Sequence, residues 1–220
     1  MENHSKKTAF FGKVTANVTH ELQNVLAIIK ENAGLMEDFM QFQMNPENLA
    51  DLEINLKKIL GKIVEQSKRG VGLTTALNGF AHTTDRVETE IHIHKAVERL
   101  LFLTNRLFLL QGIEVNLEKC EESPSIVIDH VLFQTIILMS IECLMEIPDV
   151  KSNIGIRVVN QDGKIRLDIC YDDSNINCDD FKQKLSLSAK WTETVNICSA
   201  IKLTTEVINQ TQSGICIIFN

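Results

Sequence analysis

The strongest constraint on this chain is the period of its apolar residues over two long segments that proline does not interrupt. From about Thr8 to Met44, the residues Val14, Val18, Leu22, Val25, Leu26, Ile29, Ala33, Met36 and Met40 recur at helical spacing and predict one buried stripe. Asn45-Pro46 then punctuates the chain, with Asn suited to an N-cap and Pro to the first helical position. A second run follows in Leu49, Leu52, Leu56, Ile59, Leu60, Ile63 and Val64, and more weakly in Val71 and Leu77. Gly70, Gly72 and Gly79 are expected to bend or fray its far end. Two helices of roughly 35 residues, each about 50 Å long, joined by a short turn form an antiparallel hairpin. A lone hairpin buries one seam, so the stripes predict that two copies pair as a homodimeric four-helix bundle. A hairpin capped by the rest of the chain is the alternative.

Beyond the polar stretch Thr83–Thr89 the period changes. Glu90–His94 and Ile113–Leu117 alternate like short strands around a helix from Lys95 to Gln111, which Gly112 stops. Ser125–Ile128 reads as a strand and Asp129–Glu146 as an apolar helix ended by Pro148. Asn153–Asn160 and Lys164–Tyr171 read as a hairpin around Gln161-Asp162-Gly163. A helix over Thr192–Asn209 and a strand over Gly214–Phe219 complete the pattern. Strands and helices mixed in this order predict an α+β fold with helices on one face of a sheet. Charge supports a boundary near residue 86. Residues 1–86 hold ten basic and ten acidic side chains, whereas residues 87–220 hold 12 and 19, so the net −7 lies wholly in the second part. An acidic second domain with no basic face argues against nucleic-acid binding. No apolar run approaches the roughly 18–20 residues of a membrane span, and Met1–Lys7 leads into no signal core, so a cytoplasmic protein is expected. Six scattered cysteines without a CxxC fit reduced thiols better than zinc or disulfides.

One histidine falls in the wrong place for packing. The first stripe centres near Leu22, Ile29 and Met36, and at about 100° per residue His20 falls almost opposite, facing water with Asn24 and Glu31. The surrounding string Val18-Thr19-His20-Glu21-Leu22-Gln23-Asn24-Val25 resembles the H-box of sensor histidine kinases, with Val25 where that family often has Pro. The resemblance implies that His20 is a phosphoacceptor, Glu21 its acid/base partner and Asn24 a phosphatase residue. The chemistry is consistent, since a neutral imidazole is a good nucleophile near neutral pH and a neighbouring carboxylate can hold the other ring proton. Ile28 and Leu35 are placed toward the His20 side, either as a patch on which a response-regulator receiver domain docks or as part of a broad core.

The order of elements after residue 87 resembles the ATP-binding domain of the same family, but its motifs are degenerate. Glu142 stands where the family has a Mg²⁺-holding Asn. Asp172 stands where an adenine-reading Asp opens an Asp-x-Gly-x-Gly loop, with Ser174 and Ile176 in place of both glycines. No glycine occurs from Lys164 to Ser213, although glycine is what lets backbone N–H groups approach phosphates closely. The expected organisation is therefore a helical hairpin over 1–86, forming a dimeric four-helix bundle, and a degenerate ATPase-like α/β sandwich over 87–220. No cofactor is expected. The expected function is two-component signalling, with histidine phosphotransfer through His20 to and from receiver aspartates. An upstream histidine kinase is a further expected partner, and any Mg²⁺ arrives with the receiver. The alternatives are an ATP-dependent, Mg²⁺-using kinase with divergent loops, or a non-catalytic dimer that binds a receiver or kinase. Asp173, Asn175, Asn177 and Asp179 imitate a calcium loop, but Cys178 and Lys184 break the pattern. His92 and His94 lack a third ligand and read as surface residues.

Overall fold

Helix α1 runs unbroken over Glu2–Phe42 and α2 over Leu49–Ala81 in the computed structural model, which describes residues 2–42, 49–84, 88–120, 124–147, 153–161, 163–171, 178–209 and 212–219. The turn expected at Asn45-Pro46 lies outside the described residues. The chain divides into two units, Gly12–Ala81 and a second built from Met1–Phe11 with His82–Asn220, so α1 contributes to both.

In the first unit, α1 and α2 form an antiparallel hairpin whose seam steps by threes and fours on both helices. On α1 it follows Val14, Val18, Glu21, Val25, Ile28 and Asn32, and on α2 it follows Leu52, Ile59, Ile63, Gln66, Gly70, Leu73 and Phe80. Val14, Val18 and Phe80 are fully buried. Helix α2 stays continuous through its glycines to Ala81 and does not fray at them as the sequence predicts. Gly70 meets α1 directly, and a Cβ there would stand 3.3 Å from the Val25 side chain. Thr74 donates its hydroxyl to the Gly70 carbonyl at 3.0 Å. The expected stripe centre is also corrected. Leu22, Ile29 and Met36 are only half-buried, because the polar Glu21 and Asn32 occupy the seam instead. Glu21 does so with Arg69 of α2 as its partner, and Asn32 does so by donating to the Ile28 carbonyl at 2.8 Å.

In the second unit a five-stranded sheet has the order β2-β4-β5-β7-β6, with β2 (Glu114–Leu117) parallel to β4 (Asn153–Gln161). The pairs among β4, β5 (Lys164–Tyr171), β7 (Ser213–Phe219) and β6 (Thr204–Asn209) are antiparallel. Alternate residues Ile154, Ile156, Leu167, Ile169, Ile215, Ile217 and Phe219 make the buried face. Against it packs α4 (His130–Met145), which is buried nearly all round, as expected of a central helix. Phe133 meets Phe219 with ring centroids 5.8 Å apart. Asp129 caps α4 by accepting the Leu132 N–H at 3.0 Å, and Lys7 pairs with the same carboxylate. A separate ribbon pairs β1 (Thr89–His92) with β3 (Ser125–Ile128), and α3 (Ile93–Leu109) follows β1.

The helix expected over Thr192–Asn209 is shorter and displaced. Helix α6 covers Ala189–Ala200, Lys202 turns the chain at φ 62°, and Thr204–Asn209 becomes β6. The wholly buried β7 requires a neighbour on each side, and the β-branched Thr204, Thr205, Val207 and Ile208 supply it. Helix α5 (Cys178–Leu187) was not anticipated; Phe181 and Leu185 are its buried anchors.

Candidate functional site

The two flanks of the hairpin differ in character. One position after the seam, α1 presents Thr15, Thr19, Leu22, Leu26, Ile29 and Ala33, and α2 presents Glu53, Leu60, Val64, Ser67, Val71 and Thr74. One position before it, α1 presents His20, Asn24, Ala27 and Glu31, and α2 presents Lys58, Lys62, Glu65 and Arg69, all exposed. A step of one residue rotates a helix by about 100°. In two antiparallel helices facing each other, the positions that follow the seam turn to the same side, and the positions that precede it turn to the other. The hairpin therefore has one flank that is apolar over its middle turns, from Leu22 to Ala33 and from Leu60 to Val71, and one that is polar. Leu26 is 64% exposed and Val71 65%.

His20 lies on the polar flank, exposed, and its imidazole has no hydrogen-bond or ion-pair partner among the described residues. Asn24 stands one turn further along the same flank, also exposed. Glu21, next in sequence, turns into the seam, where its carboxylate accepts from Arg69 Nη2. Ile28 lies on the seam line and is half-buried, whereas Leu35 is exposed. Arg69 escaped the sequence reading. The clue to it was an acidic residue lying next to an apolar stripe, which needs a cation from the facing helix.

The other sequence-derived positions lie in the second unit. The Glu142 carboxylate on α4 is 3.3 Å from Lys190 Nζ of α6, and Lys190 also reaches Glu146 at 2.6 Å. Burial works against the Lys190 charge, but the hydrogen bond to Glu146 and the charge of Glu142 outweigh it and hold its pKa above the ordinary lysine value. Ser188 caps α6 by accepting the Trp191 N–H at 3.3 Å and donates to Glu146 at 3.3 Å. Asp172 and the calcium-like stretch up to Asn177 lie outside the described residues. His92 meets Ser125 Oγ at 2.8 Å and His94 the Glu118 carbonyl at 3.1 Å, each within its own surface contact. Burial pushes the Cys143 thiol up to about 11 and that of Cys198 to about 12, so neither is a ready nucleophile near neutral pH. A cavity of about 260 Å³ on the sheet's other face is lined by Glu118, Arg157 and Asp168 among others, and Arg157 is tied there to both Glu118 oxygens at 2.8 Å. Among the described residues no helix is long and apolar enough to cross a membrane.

No family model matches the chain, and no curated protein matches it. Solved structures do. The histidine kinase AdeS of Acinetobacter baumannii is 17% identical over 91% of this chain and 97% of that one, with a TM-score of 0.46. The histidine kinase ThkA, solved in complex with the response regulator TrrA, is 16% identical over 98% of this chain and 63% of that one, at 0.45. A bacterial phosphotransferase is 10% identical over 94% of each chain, at 0.42. Likenesses this distant carry no argument about function, which rests on the chain's own residues.

Proposed function

We propose that this chain is a two-component signalling protein whose His20 passes phosphoryl groups to and from receiver-domain aspartates. The observation that carries the reading is the placement of His20: an exposed imidazole without a partner, on the polar flank of a hairpin, with the opposite flank apolar. A ring nitrogen of His20 attacks the phosphorus of an aspartyl phosphate. The N–P bond forms as the P–O bond breaks, and the bonding pair leaves on the aspartate carboxylate. Glu21, next in sequence, balances the charge that develops on the ring, and Asn24, one turn further along the same flank, orients a water against the partner's aspartyl phosphate. In the reverse direction His20 hands the group to a second receiver.

The apolar flank is the natural dimer interface on this reading. Two copies joined through Leu22, Leu26, Ile29, Leu60, Val64 and Val71 would bury one flank of each hairpin and leave both His20 side chains in water. Leu26→Glu is expected to raise the dimer dissociation constant by at least about a hundredfold, since it buries an unpaired charge at the interface. It should leave each hairpin folded, because Leu26 is exposed in the single chain. Sedimentation across a concentration series measures it, and a wild type that is monomeric at tens of micromolar would sink the interface.

The nucleotide that the resemblance of the second part implies finds a poor donor set. Glu142 is already neutralised by Lys190, Glu146 shares that lysine, and no glycine lies between Lys164 and Ser213. Carboxylates closed on a lysine do not fit a polyphosphate, and this supports transfer without ATP. The test incubates the chain with γ-labelled ATP and Mg²⁺, and separately with a receiver phosphorylated on its aspartate. Acid-labile, alkali-stable label from the receiver and none from ATP is the expected result. Label from ATP would establish a kinase instead, and label from neither would leave a docking protein.

A further inference from the structure

The polar flank also carries a cation that the transfer step above does not use. Arg69 stands one position before the seam residue Gly70, as His20 stands one before the seam residue Glu21, so the two share a flank. The ion pair between Arg69 and Glu21 sets Arg69 at the level of His20 along the hairpin. Its side chain is 48% exposed, against 10% for that of Glu21. A guanidinium carries five N–H donors in one plane and matches the oxygens of a phosphoryl group. Glu21 takes one of these through Nη2.

Phosphorylating His20 sets a dianion beside the nearly buried Glu21 carboxylate, which is unfavourable unless a cation serves both. We propose that Arg69 binds the phosphoryl group carried by His20, bridging it to Glu21; this rests on the phosphotransfer reading. During transfer the phosphorus exchanges its bond to the aspartate oxygen for one to the imidazole nitrogen. Arg69 gives up no proton and follows the equatorial oxygens with its N–H donors.

Phosphoramidate, a small phosphoryl donor, loads His20 in the full chain without any partner, and His20→Ala identifies the ³¹P resonance that belongs to it. Titrated with pH, that resonance is expected to have a lower midpoint in the wild type than in Arg69→Gln by about one unit, with Arg69→Lys in between. Transfer from a phosphorylated receiver should slow about a hundredfold in Arg69→Gln and recover in part in Arg69→Lys. If Arg69→Gln fails to fold, the double variant Glu21→Gln with Arg69→Gln removes the stranded carboxylate, and its midpoint and rate are compared with those of Glu21→Gln alone. An unchanged midpoint with an unchanged rate, and only a lower melting temperature, would overturn the inference and leave phosphotransfer standing. An Arg69-dependent midpoint in a chain that takes nothing from any receiver would uphold the anion site and reject the phosphotransfer reading.

Discussion

His20→Ala abolishes transfer from a phosphorylated receiver, with a loss of at least about a thousandfold, since the substitution removes the nucleophile that splits the reaction. The same substitution leaves the melting temperature unchanged or slightly higher. His20 is exposed, lacks a partner among the described residues and lies in the interior of α1. Alanine there adds helix propensity of about half a kcal/mol and removes no contact. The combination is diagnostic because few positions in this chain separate activity from stability so cleanly. Glu21→Ala would remove the partner that Arg69 has at the edge of the seam and confuse the two. Mass spectrometry of the loaded chain, beside a thermal melt, gives both readings. Label that persists in His20→Ala would move the phosphoacceptor elsewhere. Undiminished signalling by an unlabelled His20→Ala chain would make the protein a docking dimer.

The exposure of His20 was more legible in the sequence than the packing around it. His20 could be placed in water because polar residues recur with it at helical spacing, and that inference survives even though the stripe used to derive it was rotated. The rotation has a physical cause. Two adjacent apolar lines run along α1, one through Val18, Val25 and Ile28 and one through Leu22, Leu26 and Ile29. Hydrophobicity alone cannot say which line faces α2. The choice is made by Glu21, which is drawn into the seam by a residue 48 positions away. The seam is thus set by a non-local ion pair, and the displaced line is left as a second apolar flank.

In the second unit, local signals sufficed where they were complete. Ser125–Ile128 and the hairpin of β4 and β5 matched closely, with Gly163 turning at φ 76°. They failed at Thr204–Asn209, whose apolar spacing is short enough to fit either period. Its identity as a strand depends on the edge of β7 that it covers. The ion pairs of Lys190 were equally invisible, because they join α4 and α6 across 48 and 44 residues of sequence. Glu142 alone looked like a missing ligand; with Lys190 beside it, it is part of a closed helix contact.

Gly214→Ala is expected to destabilise the second unit by about 3 kcal/mol or more, the upper end for forcing atoms into a packed interior. Gly214 is the residue that ends the glycine-free run, and a search for phosphate-cradling glycines would stop at it first. Its surroundings give it a different purpose. It sits in β7 between β5 and β6, paired with Cys170 on one side and Ile208 on the other. A Cβ there would run into the Ile169 carbonyl oxygen and stand 2.8 Å from both Cα and Sγ of Cys170. The first two of those are backbone atoms of a paired strand, so relief requires moving β5 and not merely a side-chain rotation. The single Trp191 lies on α6 of the same unit, so its fluorescence reports this transition. A fall in melting temperature of roughly 10 °C corresponds to that cost in a unit of this size. The functional corollary is sharper than the stability figure. If the second unit supports docking and does no chemistry, Gly214→Ala chains held well below their transition should still load His20 from phosphoramidate at the wild-type rate. A melting temperature within a degree or two of wild type would show that β5 yields to the methyl group, and the close approach of the two strands would then not be what requires glycine at this position.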